Sequence, residues 1–457
     1  MTKYDAILVG SGQANTPLAK KLAAVGWKTA LVERQWVGGT CVNVGCTPTK
    51  TMIASGRVAY LVRRSADYGI RTSGFDVDVE TFLRRKNSVV LSAREGNTKS
   101  LLGTPNLDLI FGTAAFTGPK EITVTKEDGS PETLTADYIF INTGAHPVIP
   151  PVAGLGDVSY LTSTSILDLH EIPAHLAIMG GSYVALEFGQ LYRRLGSRVT
   201  IIESNDRFLA KEDEDVATVI RQILEEDGVQ ILTGTRVTAV RQDNGVRIEL
   251  EKQATRTAIA ASRVLVATGR RPDTAGLNVA AAGIRLDEHG NIAVDNRLET
   301  NVPGIFALGD VKGGLQFTHV SWNDHLIVYK NLIEKANLSI EHRVPVYCLF
   351  TDPELGRVGL TENEAREKGL NFKVATMPAG YVSRAKENDE TRGLLKVIVN
   401  ADDRKILGAA MLISGGGELM SIVQMAMTGG VTYDTVRDGM YAHPTFAESL
   451  NNLFAKL

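Results

Sequence analysis

Asp5-Ala6-Ile7-Leu8-Val9-Gly10-Ser11-Gly12-Gln13-Ala14-Asn15 is the stretch that decides the fold. Four apolar residues run without alternation into a glycine-rich turn, as in a parallel strand buried on both faces. A helical pattern follows and closes at Gly26, and a second apolar strand, Thr29-Ala30-Leu31-Val32, ends in Glu33. Strand, glycine turn, helix, strand and acid form the start of a dinucleotide-binding βαβ unit. Gly10 permits the tight turn, and Gly12 lets a pyrophosphate approach the backbone. The helix N-terminus then offers amide donors and partial positive charge. Glu33 stands where a ribose hydroxyl would donate to it. Asn15 occupies the third fingerprint position, where glycine allows close helix–strand packing. A small displacement of the helix is expected there.

The design recurs once. His175-Leu176-Ala177-Ile178-Met179 enters Gly180-Gly181-Ser182-Tyr183-Val184-Ala185, a helical pattern closes at Gly196, and Val199-Thr200-Ile201-Ile202 ends in Glu203. Glu203 would accept from an unmodified 2′-hydroxyl and repel a 2′-phosphate. NADH is therefore expected, with NADPH as the alternative. Asn142-Thr143-Gly144-Ala145 and Ala267-Thr268-Gly269-Arg270 are matching strand exits near the ends of the two units, and Pro147, Pro150 and Pro151 close the first. The expected class is α/β, with two Rossmann-like dinucleotide-binding domains and a C-terminal α+β domain. The expected segments are 1–150 for the first unit and 151–273 for the second. A central segment, 274–342, ends its strand signals at Gly309-Asp310. Residues 343–457 carry apolar β-like runs (Val344 to Phe350, Leu394 to Val399, Ile406 to Ile413) and a helical pattern from Glu418 to Thr428.

Bulk properties narrow the function. A chain of 457 residues needs several cores, and 44% hydrophobic residues can fill them. A net charge of -3 provides no basic face for nucleic acid. No run of about 18 apolar residues is present, so no membrane partner is expected. The first strand follows Met1 almost at once, and no secretory signal is read there. With three cysteines in all, the expected location is the cytoplasm. A disulfide there is usually catalytic or redox-sensing.

Two of the three cysteines lie in Gly38-Gly39-Thr40-Cys41-Val42-Asn43-Val44-Gly45-Cys46-Thr47-Pro48-Thr49-Lys50. On an unbroken helix their α-carbons would be about 8–9 Å apart, whereas a disulfide needs roughly 4.4–6.8 Å. The segment must bend if they bond, and Gly45 supplies the freedom. Pro48 suits the first turn of a helix, which puts Cys46 near a helix N-terminus, where a thiol pKa falls. No second ligand pair accompanies them, so no metal site is expected. Cys348, in an apolar stretch, reads as a buried thiol.

The cysteine segment resembles the redox-active motif of the class I flavoprotein disulfide reductases, the FAD-dependent pyridine nucleotide-disulfide oxidoreductases. The resemblance extends over essentially the whole chain. It implies FAD on the first fingerprint and NAD(P)H on the second. Electrons would pass from the nicotinamide through FAD to a Cys41–Cys46 disulfide and on to a substrate. It also implies roles. Cys46 is the thiolate against the flavin and Cys41 the interchange thiol. Lys50, paired with Glu187, lies near the flavin. Tyr183 gates the nicotinamide pocket, and Asp310, after Gly309, holds the ribityl chain. His443 and Glu448 form an acid–base dyad contributed across a homodimer interface. The expected cofactor contacts at the first unit are Gly10, Gly12, Glu33, Gly39, Thr40, Lys50, Thr143 and Gly144, with Gly309 and Asp310 from the central segment. At the second unit they are Gly180, Tyr183, Glu187, Glu203 and Gly269.

Within that family two branches are similar. Ser182 and Leu186-Glu187-Phe188-Gly189-Gln190-Leu191 resemble the mercuric reductases. The tail from Val436 to His443, then Glu448 to Phe454, resembles the flavoproteins of reactive-chlorine resistance and hypothiocyanous acid reduction. Mercuric reductases carry a vicinal cysteine pair near the C-terminus, and no cysteine follows Cys348 here. A small thiol-reactive oxidant or disulfide is therefore the expected acceptor. Mercuric reductase, dihydrolipoamide dehydrogenase and a flavin-bound redox sensor without turnover are the alternatives. The complete Cys41/Cys46, Lys50/Glu187 and His443/Glu448 set argues against a sensor, which needs no hydride route.

Overall fold

The computed structural model of the chain describes residues 1–457. Its first sheet has seven strands. Strand Thr2–Val9 lies at the centre, parallel to Thr29–Glu33 on one side and to Pro131–Ile141 on the other. Every residue of Thr29–Glu33 is buried, as expected of a strand covered on both faces. The second parallel sheet has five strands, with His175–Met179 between Arg198–Ile202 and Arg263–Val266.

The repeat read in the sequence is a repeat in register. Val9 pairs with Val32 and Met179 with Ile202. Gly10 N–H then donates to Val32 O, and Gly180 N–H to Ile202 O, both at 2.8 Å. The two strand exits pair with each other, Ala145–Pro147 running antiparallel to Arg270–Pro272. This short ribbon joins the two units at their switch points.

Residues 274–342 give strand Ile305–Ala307 to the first sheet, parallel to Pro131–Ile141, and pack helix Thr318–Leu332 against helix Asn15–Ala24. The C-terminal segment is a five-stranded antiparallel sheet covered by helix Gly416–Thr428. Strands Val346–Leu349, Leu394–Asn400 and Ile406–Ile413 follow the apolar runs. Strand Glu354–Gly359 was not legible, because its glycines dilute the β signal. Gly356 is there for packing, since a Cβ on it would lie 2.2 Å from Gly416 O. No helix is long and apolar enough to cross a membrane.

Candidate active site

The two fingerprints open onto one cleft of about 3040 Å³. Its lining includes Gly10, Gly12, Glu33, Gly39, Thr40, Thr143, Gly144 and Asp310 from the first unit and central segment. Tyr183, Glu187, Glu203 and Gly269 line it from the second unit, and Cys41, Cys46 and Lys50 stand between the two sets. Gly180 and Gly309 lie behind this surface and shape the turns that carry it. Gly309 N–H donates to the buried carboxylate of Asp324 at 2.7 Å.

Both fingerprints are built alike. Ser11 N–H donates to Glu33 Oε2 at 2.9 Å, and Gln35 N–H to Glu33 Oε1 at 2.8 Å. Gly181 N–H and Asn205 N–H make the same pair of bonds to Glu203, each at 2.7 Å. Each glutamate thus ties its strand end to its glycine turn, which fixes the carboxylate at the rim where a ribose would lie. The larger Asn15 side chain is taken up by hydrogen bonding. It is fully buried, and its Nδ2 donates to the carbonyls of Val9, Gly10 and Phe140 at 3.0–3.1 Å.

The first turn fits a dinucleotide diphosphate. A Cβ on Gly12 would meet Asn142 Oδ1 at 2.3 Å, so only glycine keeps the backbone bare there. Asn142 Oδ1 in turn accepts from the amides of Ala14 and Asn15 at 3.3 and 3.4 Å. Burial raises the Asp310 carboxyl above its ordinary range, while Arg270 and Lys312 oppose the rise. A hydroxyl-rich ligand chain at Asp310 would meet a strong acceptor.

The cysteines sit on two helices, not one. Helix Gly39–Val44 stops at Gly45 (φ −135°, ψ −116°), and helix Cys46–Arg63 begins at the next residue. A Cβ on Gly45 would lie 2.8 Å from Thr40 O, so the break requires glycine. Both thiols are free and stand side by side in the cleft. Cys46 Sγ also lies 3.3 Å from Thr318 Oγ1. Thr318 begins helix Thr318–Leu332, so two helix N-termini meet at one sulfur. The neighbouring Cys41 does most to lower the Cys46 thiol, to about 6, with help from Thr318 and Lys50 and against the cost of burial. Cys41 moves the other way, raised by the neighbouring Cys46 sulfur and by burial. The two sulfurs are thus pushed in opposite directions, Cys46 toward the thiolate and Cys41 toward the thiol.

Lys50 Nζ is 2.6 Å from Glu187 Oε2 and 4.7 Å from the centre of the Phe350 ring. Glu187 Oε1 accepts the Phe350 amide at 3.0 Å. One turn before Glu187, Tyr183 stacks on Tyr347 with ring centres 5.4 Å apart. Cys348 is half-buried and lines the cleft, not the core, and burial pushes its thiol up. Its strand, Val346–Leu349, lies at the sheet edge and pairs with only one neighbour.

The model for the pyridine nucleotide-disulphide oxidoreductases matches residues 4–324, and that for their dimerisation domain matches residues 345–454. The chain belongs to this family. It is an oxidoreductase, and its family uses FAD and NAD(P)H. Among its relatives is the probable pyridine nucleotide-disulfide oxidoreductase RclA of Escherichia coli (strain K12). The two are 39% identical across 100% of this chain and 99% of that one. The mercuric reductase of Bacillus cereus is 35% identical, covering 98% of this chain and 70% of that protein. A solved structure of the HOCl-induced flavoprotein disulfide reductase RclA from Escherichia coli, a Cu(II) complex, superposes with a TM-score of 0.91. It is 37% identical, and 100% of both chains is covered.

Within the oxidoreductase's dimerisation domain, His443 Nδ1 lies 2.8 Å from Glu448 Oε2. The dyad is formed, yet the His443 side chain is 70% exposed and no residue beyond Thr428 lines the cleft. Within one subunit, then, the structure does not bring the dyad to the cysteines.

Four further residues of the site have no role read from the sequence. Thr318, Arg270, Tyr347 and Glu212 reach the cleft from distant segments. Arg270 closes the second strand exit, and Thr318 follows the turn at Gly313-Gly314 shortly before a helix start, whereas Tyr347 and Glu212 carry no local signal.

Proposed function

We propose that this oxidoreductase is an NADH-dependent flavoprotein that reduces a small thiol-reactive oxidant or disulfide at Cys41, in defence against hypochlorous- or hypothiocyanous-type stress. The observation that carries the reading is the Cys41/Cys46 pair in the cleft shared by both fingerprints, with Thr318 against Cys46 and the Lys50–Glu187 pair in the same cleft. Gly10, Gly12, Glu33, Thr143, Gly144 and Asp310 would hold FAD, and Gly181, Tyr183, Glu203 and Gly269 the nicotinamide dinucleotide. Bound FAD supplies the coupling of hydride donation by the nicotinamide to two-electron reduction of a disulfide.

The protein's own groups account for the rest. Cys46 stays ionised, and Lys50 holds positive charge beside it against Glu187. Cys41, once deprotonated, attacks the electrophilic atom of the oxidant. With hypothiocyanous acid, sulfur bonds to sulfur and the departing hydroxide takes up a proton as water. Cys46 thiolate then attacks the Cys41 sulfur, forms the Cys41–Cys46 disulfide and expels thiocyanate. His443, oriented by Glu448, would exchange these protons in the cleft of a second subunit. The likeness to a protein described as HOCl-induced supports the class of oxidant.

Mercury is the weaker reading. Mercury(II) binds thiolates tightly and would bridge Cys41 and Cys46. Handing the ion in by exchange needs a second thiol pair, which Cys348 alone cannot form. Steady-state NADH oxidation with hypothiocyanous acid, mercuric ion, Cu(II), lipoamide and glutathione disulfide tests the assignment. Hypothiocyanous acid should give the highest kcat/KM, and preference for lipoamide or mercury would reject it.

A further inference from the structure

Tyr183 is not held by its own domain alone. Its hydroxyl donates to Glu212 Oε1 at 3.1 Å, and Tyr347, on the dimerisation-domain sheet, donates to the same oxygen. Arg357 of that sheet approaches Glu212 Oε2, with Nε at 3.6 Å. Both charged residues are sealed in: Glu212 is 1% exposed and Arg357 2%. Next to Glu212, Asp213 accepts the amide of Glu362 at 3.0 Å and lies 3.2 Å from Lys396 Nζ, so the loop is clamped to the dimerisation domain from two sides. Tyr347 also stacks on Phe317, at 5.6 Å and 6° between planes, and Phe317 precedes the threonine that bonds Cys46. A wall of rings therefore runs from the second fingerprint to the sulfur pair.

From this geometry we infer that Glu212 and Tyr347 are positioning residues that form a two-phenol latch for Tyr183, making its displacement by the incoming nicotinamide inexpensive. The inference rests on the proposed placement of the nicotinamide beside Tyr183. Glu212 Oε2 has no hydrogen-bond donor, so the two phenols on Oε1 supply all the hydrogen bonding this buried carboxylate receives, and losing both is strongly disfavoured. With both phenols on Oε1, Tyr183 can swing away while Tyr347 keeps that oxygen satisfied. With Tyr183 as sole donor, the same movement would strand it.

The latch predicts a sign pattern that a merely structural role does not. In the FAD-loaded dimer, stopped-flow reduction by NADH should slow on the order of tenfold in Tyr347→Phe, the effect of one stranded buried acceptor. In the Tyr183→Phe background, whatever rate that variant itself shows, Tyr347→Phe should add no further loss, since nothing remains to release. The double variant should match Tyr183→Phe, so that the Tyr347 effect exists only where the Tyr183 hydroxyl is present. An equal loss from Tyr347→Phe in both backgrounds, or none in either, overturns the latch. If Tyr183→Phe and Tyr183→Ala both leave NADH binding and flavin reduction untouched, the nicotinamide does not meet Tyr183, and the placement fails along with the latch.

Discussion

Lys50 Nζ and Glu187 Oε2, 2.6 Å apart, cross-link the helix that starts at Cys46 to the helix that starts at the second fingerprint. The pair holds the sulfur-bearing helix and the helix of the second fingerprint in one geometry, and it puts the Lys50 cation where it favours the ionised form of Cys46. Glu187 is the buried partner and Lys50 is about a third exposed, at 8% and 32%.

Glu187→Gln leaves Lys50 without its counter-charge but keeps an acceptor for the Phe350 amide. The expected loss is about 1–3 kcal/mol, below the full cost of breaking a buried pair because Lys50 reaches solvent. Chemical denaturation of the FAD-loaded variant beside its parent measures it. An unchanged midpoint together with an unchanged rate of flavin reduction would show that the pair does neither job.

The reduced enzyme should hold a thiolate at Cys46 at neutral pH. Its pKa is lowered to about 6, so the thiolate is present above that pH and lost as pH falls through it. Ultraviolet thiolate absorbance of the reduced protein should follow this titration and disappear in Cys46→Ser. Cys41→Ala removes the neighbour that lowers Cys46 most, so its midpoint should move up toward the ordinary thiol value of about 8.5. A midpoint that stays near 6 in Cys41→Ala, or a titration that survives Cys46→Ser, would reverse the roles of the two sulfurs.

How much of this was legible in the sequence depends on distance along the chain. Gly10, Gly12 and Glu33, or Cys41, Gly45 and Cys46, act through neighbours within a few dozen residues, so spacing alone carries the chemistry. Thr318 meets Cys46 across 272 positions, and Tyr347 meets Glu212 across 135. A lone threonine or tyrosine in an apolar run gives no sign of such a partner. Asn15 looked like a defect in its motif because the three carbonyls that receive its amide belong partly to another strand, Pro131–Ile141. His443 and Glu448 were readable as a pair, but within their own subunit they stand outside the cleft.

Glu203 should set nicotinamide choice. NADH should exceed NADPH in kcat/KM by at least roughly tenfold, the scale of one unfavourable like-charge contact. Glu203→Gln, which keeps an acceptor for the amides of Gly181 and Asn205, should narrow the ratio. A parent enzyme that prefers NADPH would contradict the role given to this carboxylate.

Mixed dimers test where the dyad acts. Cys41→Ser and His443→Ala homodimers should each be inactive. Heterodimers formed by unfolding and reassembly should regain activity if His443 serves the partner subunit, because one of their two sites is then intact. Verified heterodimers without activity would place the dyad elsewhere.

The central claim is that electrons leave through Cys41 to a small thiol-reactive oxidant. Anaerobic NADH oxidation by the parent and by Cys41→Ser, with hypothiocyanous acid and with mercuric chloride under matched excess thiol, tests it most directly. The account predicts sustained turnover of the parent on hypothiocyanous acid, little on mercury, and loss of the oxidant-driven rate by about a hundredfold or more in Cys41→Ser, as for removal of a nucleophile. Turnover on mercury as fast as on the oxidant, or a Cys41→Ser enzyme that keeps its rate, would contradict it.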